Sequence, residues 1–221
     1  MHFATKLSLL LVLAAAFATG AAAAPAAGKQ SAAVQSLQLT LAQHGFPSGP
    51  IDGRYGPRVE AAVRRFQRSV GLTADGAAGP STLAALSRPS RQAPFLLAWP
   101  LLARAGDRFG LRGNRFHAGV DLPAASGTAV ESAAPGVVTW AGDRAGGWGL
   151  LVVVKHREGV RTLYAHLESI AVRVGDSVAG GTLLGQVGAT GDATGPHLHF
   201  EVRVHGAAVD PFGALVPLVS G

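Results

Sequence analysis

The 221-residue chain contains no cysteine. That absence excludes a disulfide framework, a cysteine nucleophile, any thiolate metal site and the lipid-modified cysteine of a bacterial lipoprotein. A metal bound here must use His, Asp or Glu. Charge is sparse as well: 14% of residues are charged against 48% hydrophobic, which excludes a mainly disordered chain and leaves enough apolar material for a packed core. Lysine is nearly missing, with three residues against sixteen arginines, so the net charge of +6 is almost wholly guanidinium. A basic balance of this kind fits nucleic acid, a membrane surface or an anionic polymer such as a cell wall. Thirty Gly and thirteen Pro fall without a G-X-Y period, which excludes collagen and favours many turns and short strands over long helices.

The first residues read as a targeting segment. Met1 to Lys6 carries one positive charge, Leu7 to Ala18 is an apolar stretch of twelve, and Thr19 to Ala24 is small-residue sequence with several A-x-A options. This is the layout of a secretory signal peptide over residues 1–24, cleaved near Ala22 to Ala24. The apolar stretch is shorter than the roughly 20 residues that span a bilayer, and no later window gives 18 uncharged apolar residues. The mature protein is therefore expected to be exported, monomeric and without an integral membrane anchor, in the periplasm or at the cell wall or outside it. Export removes nucleic acid as a partner.

Residues 31–87 form a first unit, and residues 88–94, with two prolines among polar residues, form a linker. Val34, Leu37 and Leu41 recur at helical spacing, as do Val59, Val63, Phe66 and Val70. An internal repeat stands at a 23-residue offset: Asp52-Gly53-x-x-Gly56-Pro57 is echoed by Asp75-Gly76-x-x-Gly79-Pro80. Asp-Gly makes a tight turn and Pro suits a helix's first turn, so the unit reads as three helices with two similar loop-to-helix entries. His44, its only histidine, reads as a capping or surface residue. Val34-Gln35-x-Leu37-Gln38, Gly45-Phe46, Ile51-Asp52-Gly53-x-Tyr55-Gly56, Ala62-Val63-x-x-Phe66-Gln67, Gly71-Leu72 and Asp75-Gly76 resemble the peptidoglycan-binding domain of many wall hydrolases. The resemblance implies noncovalent targeting to wall polymer.

Residues 95–217 have a different texture. Thr128 to Ala141, Leu150 to Lys155, Val160 to Ala165, Ile170 to Val174, Thr182 to Val187 and Leu198 to Val204 are β-branched or aliphatic runs parted by Gly-containing turns. They predict an antiparallel all-β domain, a curved sheet or two-sheet sandwich. Five histidines lie in or beside its candidate chemistry: His117, His156, His166, His197 and His199. In His117-Ala118-Gly119-Val120-Asp121 and His197-Leu198-His199 the separations are even, so on extended chain each pair faces one side. A catalytic zinc site takes three protein ligands and leaves the fourth position to water; His117, Asp121 and one of His197 and His199 supply that set. The remaining imidazoles are then free to move a proton or hydrogen-bond an oxyanion, and His166, at the end of the strand bearing Thr162 and Tyr164, suits that work. His156 and His205 adjoin turns and read as packing or surface residues.

The domain resembles the lysostaphin-type (LytM-like) zinc metallopeptidases. The resemblance runs through Phe109-Gly110-x-Arg112, His117-x-Gly119-x-Asp121-Leu122, Tyr164-x-His166-Leu167, Gly188-x-Thr190-Gly191 and Gly195-Pro196-His197-Leu198-His199-Phe200-Glu201. It implies one zinc ion per peptidase domain on His117, Asp121 and His199, with His166 and His197 as the catalytic pair. Glu201 shares the face of His199 by alternation and stands outside that set. The expected protein is an exported zinc metalloendopeptidase that hydrolyses peptide bonds in peptidoglycan stems or cross-bridges, with peptidoglycan as both substrate and anchor. The alternative is a catalytically inactive wall-binding relative that activates a partner amidase. Such a relative usually lacks a metal ligand.

Overall fold

The computed structural model describes residues 30–88, 90 and 92–216. The expected signal peptide lies outside them. No helix among the described residues is long and apolar enough to cross a membrane. The chain splits into two compact units, Met1–Arg91 with Leu111–Phe116, and Gln92–Gly110 with His117–Gly221.

The first unit contains three helices, α1 (Ala32–Gln43), α2 (Pro57–Ser69) and α3 (Pro80–Leu86). Val34, Leu37 and Leu41 of α1 and Val59, Val63 and Phe66 of α2 are buried on facing stripes, as their spacing predicts. Val70 departs from its series: it caps the C-terminus of α2 and is exposed. The repeat has a shared physical cause. Gly56 and Gly79 are the N-caps of α2 and α3, and Pro57 and Pro80 open the helices, where a missing N–H costs nothing. Upstream, Gln38 Nε2 donates to Asp52 Oδ1 at 2.9 Å while Gln38 Oε1 accepts from Gly53 N at 2.9 Å. Gln67 repeats this with Asp75 Oδ1 at 2.7 Å and Gly76 N at 2.9 Å. Both glutamines are buried, and both glycines sit at positive φ, 75° and 79°, where a side chain would be strained. The Asp-Gly turns are thus pinned to the preceding helix by an amide that satisfies its donors and its acceptor internally.

The strands that follow are antiparallel, and of their residues Leu111–Phe116 fall in the first unit and the rest in the second. They are β1 (Gly110–Arg112), β2 (Arg115–His117), β3 (Val120–Pro123), β4 (Ala129–Glu131), β5 (Gly136–Arg144), β6 (Gly149–Lys155), β7 (Val160–Ile170), β8 (Ser177–Val178), β9 (Leu183–Val187), β10 (His197–Val204) and β11 (Ala207–Val209). β1 and β2 pair as a separate two-stranded ribbon. The other nine form one sheet with the path β11-β10-β7-β6-β5-β8; β3 adds to β10, and β9 bridges β4 and β7. The apolar run Thr128 to Ala141 is two strands, since Ser132 to Pro135 breaks it. Ile170 to Val174 is not a strand of its own: Ile170 ends β7 and the following residues are coil.

Alternation sorts the long strands into two faces. Val152 and Val154 of β6, Tyr164 of β7 and Leu198, Phe200 and Val202 of β10 enter the main core with Leu122, Leu184 and Leu97. Leu151, Val153, Leu163 and Ala165 form a second apolar patch on the opposite face, closed by Trp148. His156, read from sequence as a packing or surface residue, is buried; its Nε2 lies 2.7 Å from Thr162 Oγ1, which donates in turn to Tyr164 Oη at 2.8 Å. Burial holds its pKa below the usual imidazole value.

Candidate metal centre

β3 and β10 build the centre. Their register places His199 directly opposite Asp121, with His197 opposite Pro123. His117 ends β2, four residues before Asp121. Gly119 between them makes the approach possible: a Cβ there would run into Phe200 O and lie 3.0 Å from His199 Cε1. His117 Nε2 stands 3.0 Å from His199 Nδ1 and 3.1 Å from Asp121 Oδ1, and His199 Nδ1 stands 2.8 Å from the same Oδ1. Among the described residues these three form the group that could hold a metal ion.

The outer nitrogens explain why a cation fits. His117 Nδ1 lies 2.9 Å from Arg108 O, and a carbonyl only accepts, so Nδ1 carries the proton and Nε2 presents a lone pair. His199 Nε2 lies 3.3 Å from Glu201 Oε1, which directs its proton outward and leaves Nδ1 facing inward. Two nitrogen lone pairs and a carboxylate oxygen, mutually about 3 Å apart, repel one another unless a positive charge sits among them. Ligand atoms of a tetrahedral zinc, at about 2.0–2.1 Å from the metal, are separated by roughly 3.3 Å, close to the spacing seen. Burial alone would lower the pKa of His199; its hydrogen bonds to Asp121 and Glu201 outweigh that and raise it to about 9. With no metal, a proton takes the cation's place.

Glu201 is itself buried, which would favour its acid form, yet its pKa is lowered because His199 and Arg203 flank it, Arg203 Nε donating to Oε2 at 2.6 Å. Arg203 also lies over the Trp148 ring, 5.8 Å from its centroid, and that ring meets His199 edge-on at 5.7 Å.

His166 and His197 stand beside this set, their ring centroids 4.8 Å apart, and His166 lies 5.8 Å from His199. His166 Nδ1 is 2.8 Å from Thr190 O and His197 Nδ1 is 2.8 Å from Gly195 O, so in both rings Nδ1 donates and Nε2 is the acceptor. His197 Nε2 is 3.7 Å from Asp121 Oδ1. Burial lowers the pKa of His166, partly offset by its bond to Thr190 O, which keeps it in the neutral form a base requires. His166 is not at a strand end. It lies within β7 at φ 62°, in a bulge where the pairing with β6 shifts between Leu150 and Val152. Strict alternation would send it into the core with Thr162 and Tyr164; the bulge turns it to the metal-ligand face.

The structure therefore brings together all five residues singled out from sequence. It adds Glu201, Arg203, Trp148 and the carbonyls of Arg108, Thr190 and Gly195. Only Glu201 had left a signal, its alternation with His199. Two loops close the site's rim, 145–149 and 188–195, held by Thr190, whose Oγ1 accepts from Leu150 N at 3.0 Å and donates to Leu167 O at 2.7 Å.

Fold and site together define a β-sheet domain with a His-Asp-His cation centre and two accessory histidines, preceded by a three-helix domain. Residues 115–211 match Peptidase family M23, and residues 30–86 match the family described as "Putative peptidoglycan binding domain". The chain thus carries a peptidase family M23 domain behind a peptidoglycan-binding-type domain, as the motif resemblances implied. The chain is 47% identical over 103 residues to the DD-carboxypeptidase/endopeptidase Mpg of Neisseria meningitidis, covering 47% of this chain and 24% of that protein. It is 33% identical over 115 residues to the murein hydrolase activator NlpD of Salmonella dublin, covering 51% of this chain and 29% of that one. Among solved structures, Csd3 of Helicobacter pylori matches with a TM-score of 0.50 and 33% identity, covering 56% of this chain and 36% of Csd3. The chain spans about a quarter of the length of the curated relatives it matches.

Proposed function

We propose that the protein is an exported zinc metalloendopeptidase acting on the peptides of peptidoglycan. Residues 1–24 serve as a signal peptide, residues 31–87 anchor the enzyme to the wall, residues 88–94 link, and residues 95–217 cleave, in the periplasm or at the cell wall. The observation that carries the reading is the set of fixed tautomers: His117 and His199 turn lone pairs toward Asp121, while His166 and His197 keep Nε2 available beside them. His117, Asp121 and His199 would hold the zinc. Bound there, it would supply Lewis acidity for a carbonyl oxygen and lower the pKa of a water towards neutrality. His166 Nε2 accepts the proton of the attacking water and passes it to the leaving amine. His197 Nε2, once protonated, donates to the developing oxyanion, its ring held by Gly195 O. The tethered first domain raises the local concentration of cleavable peptide.

A second reading, an inactive activator of a partner amidase, is raised by the name of the Salmonella relative. The presence of the three ligands and both accessory histidines favours the enzyme. The test is release of peptides from purified sacculi by zinc-loaded protein and its loss in His199→Ala. Equal release by the two proteins, or purification of the parent without near-stoichiometric zinc, sinks the assignment.

A further inference from the structure

The bulge that turns His166 to the site contains no glycine, so the strained turn has to be held from outside β7. Tyr164 and Leu167 both enter the main core although they stand three residues apart, so β7 carries one residue more than alternation allows. Their partners on β6, Val152 and Leu150, are two residues apart. The extra residue has a cost: His166 takes φ 62°, a left-handed conformation that a Cβ disfavours. Pairing the two strands residue for residue would relieve that strain and return His166 to the core face.

Thr190 sits where such a closure would occur. Its Oγ1 accepts from Leu150 N at 3.0 Å and donates to Leu167 O at 2.7 Å, and Leu150 and Leu167 are register partners. A hydroxyl thus stands between a donor and an acceptor of the kind that a regular ladder joins directly. Bridging an N–H and a C=O takes a group that both accepts and donates, and a hydroxyl is the smallest side chain that does so. The neighbouring glycines leave room for it. A Cβ at Gly149 would run into Thr190 Oγ1, and a Cβ at Gly191 would run into Gly147 O. With its side chain fixed between β6 and β7, Thr190 turns its own carbonyl to the His166 ring, 2.8 Å from Nδ1. One residue therefore holds both the backbone turn and the ring of His166.

We propose, on the reading of His166 as the base, that Thr190 is its positioning residue: the hydroxyl keeps the bulge open and the carbonyl fixes the ring, so that Nε2 stays free on the metal-ligand face. Thr190 acts through His166 and takes no proton itself. Without the hydroxyl, Leu150 N and Leu167 O are left to close on each other, which expels the Thr190 side chain and carries its carbonyl away from Nδ1.

The test compares the full chain with Thr190→Val, which keeps the branched shape and removes the hydroxyl, and with Thr190→Ser, which keeps the hydroxyl. The first readout is the nitrogen–proton correlation spectrum of the histidine rings, with His166 assigned by the signal lost in His166→Ala. The parent and Thr190→Ser show His166 protonated at Nδ1 alone, and Thr190→Val shows the two tautomers exchanging. A His166 signal unchanged in Thr190→Val overturns the proposal. The second readout is peptide release from purified sacculi by zinc-loaded protein. Thr190→Val lowers the maximal rate on the order of 10²-fold, the loss expected when a catalytic group is displaced by about 1 Å, and Thr190→Ser restores it. Zinc content and the half-saturating amount of sacculus stay at the parental values. In a His166→Ala background the same substitution costs nothing further. An equal loss in both backgrounds, or a loss of zinc, makes Thr190 a general support of the fold and overturns the proposal. The two readings fail separately: a His166→Ala variant that digests sacculi like the parent removes the base, while the ring spectrum still decides whether Thr190 holds His166.

Discussion

Glu201 offers the sharpest check on how the metal centre is organised. It is buried, its Oε1 accepts from His199 Nε2 at 3.3 Å, and its Oε2 accepts from Arg203 Nε at 2.6 Å. Replacing it by Gln keeps the volume and an acceptor for His199 but removes the charge that makes the imidazole a stronger donor of its inner lone pair. Replacing it by Ala also strands the His199 N–H in a buried site. Loss of such a partner costs about 10- to 100-fold in metal affinity, or about 1.4–2.8 kcal/mol. Glu201→Gln is expected near the lower bound, Glu201→Ala near the upper. Zinc affinity is read by competition with a chromogenic chelator, with near-ultraviolet circular dichroism confirming the fold. The pH dependence gives a second readout. The metal-free site holds a proton on His199 up to about pH 9, so apparent zinc affinity rises about tenfold per pH unit below that value and levels above it. In Glu201→Gln the levelling moves to lower pH. The same raised pKa makes a contribution to the metal-free fold that is full below the ordinary imidazole pKa and is lost as pH rises through about 9. Parental affinity in both variants, or a flat pH profile, refutes the reasoning.

Further outcomes follow from other contacts. His166→Ala should lower peptide release by about 10²- to 10⁴-fold with zinc content unchanged, since its Nδ1 is spent on Thr190 O; a loss below tenfold removes it as the base. Gly119→Ala should abolish stoichiometric zinc binding, because its Cβ meets the Phe200 carbonyl, whereas Gly213→Ala, with open space around it, should bind normally. Gln67→Leu should destabilise the helical unit by about 2–3 kcal/mol in urea titration, because it strands the buried Gly76 N–H and severs the bond to Asp75; an unchanged midpoint would show that the amide bonds add nothing net.

Much of the site was legible because parity is cheap information. Even spacing put His117 with Asp121 and His197 with His199, and the structure brings all four within one cluster. Parity could not rank His197 against His199, since both lie on one face; what separates them in the structure is register, which sets His199 across from Asp121. Parity also misleads at His166, because a bulge shifts the count by one and no local residue announces it. The helical repeat was visible through its Asp-Gly and Gly-Pro pairs, but its cause was not. Gln38 and Gln67 look like ordinary polar helix positions until their burial and bonds are seen. Trp148 was illegible for a similar reason: it sits in a Gly-rich turn, and its contact with His199 depends on how two loops fold together.

A single strand, β10, carries the accessory histidine, the metal-ligand histidine, the acid that orients it and the arginine that balances that acid, at every second residue from His197 to Arg203. Its backbone is bonded on one side to β7 and on the other to β3 and β11. A slip of one residue would therefore turn all four side chains into the core together and bring Leu198, Phe200 and Val202 out to solvent. Nothing between the assembled site and none at all is available by register error. The sheet thus acts as its own proofreader: a chain paired out of register presents no cation centre at all.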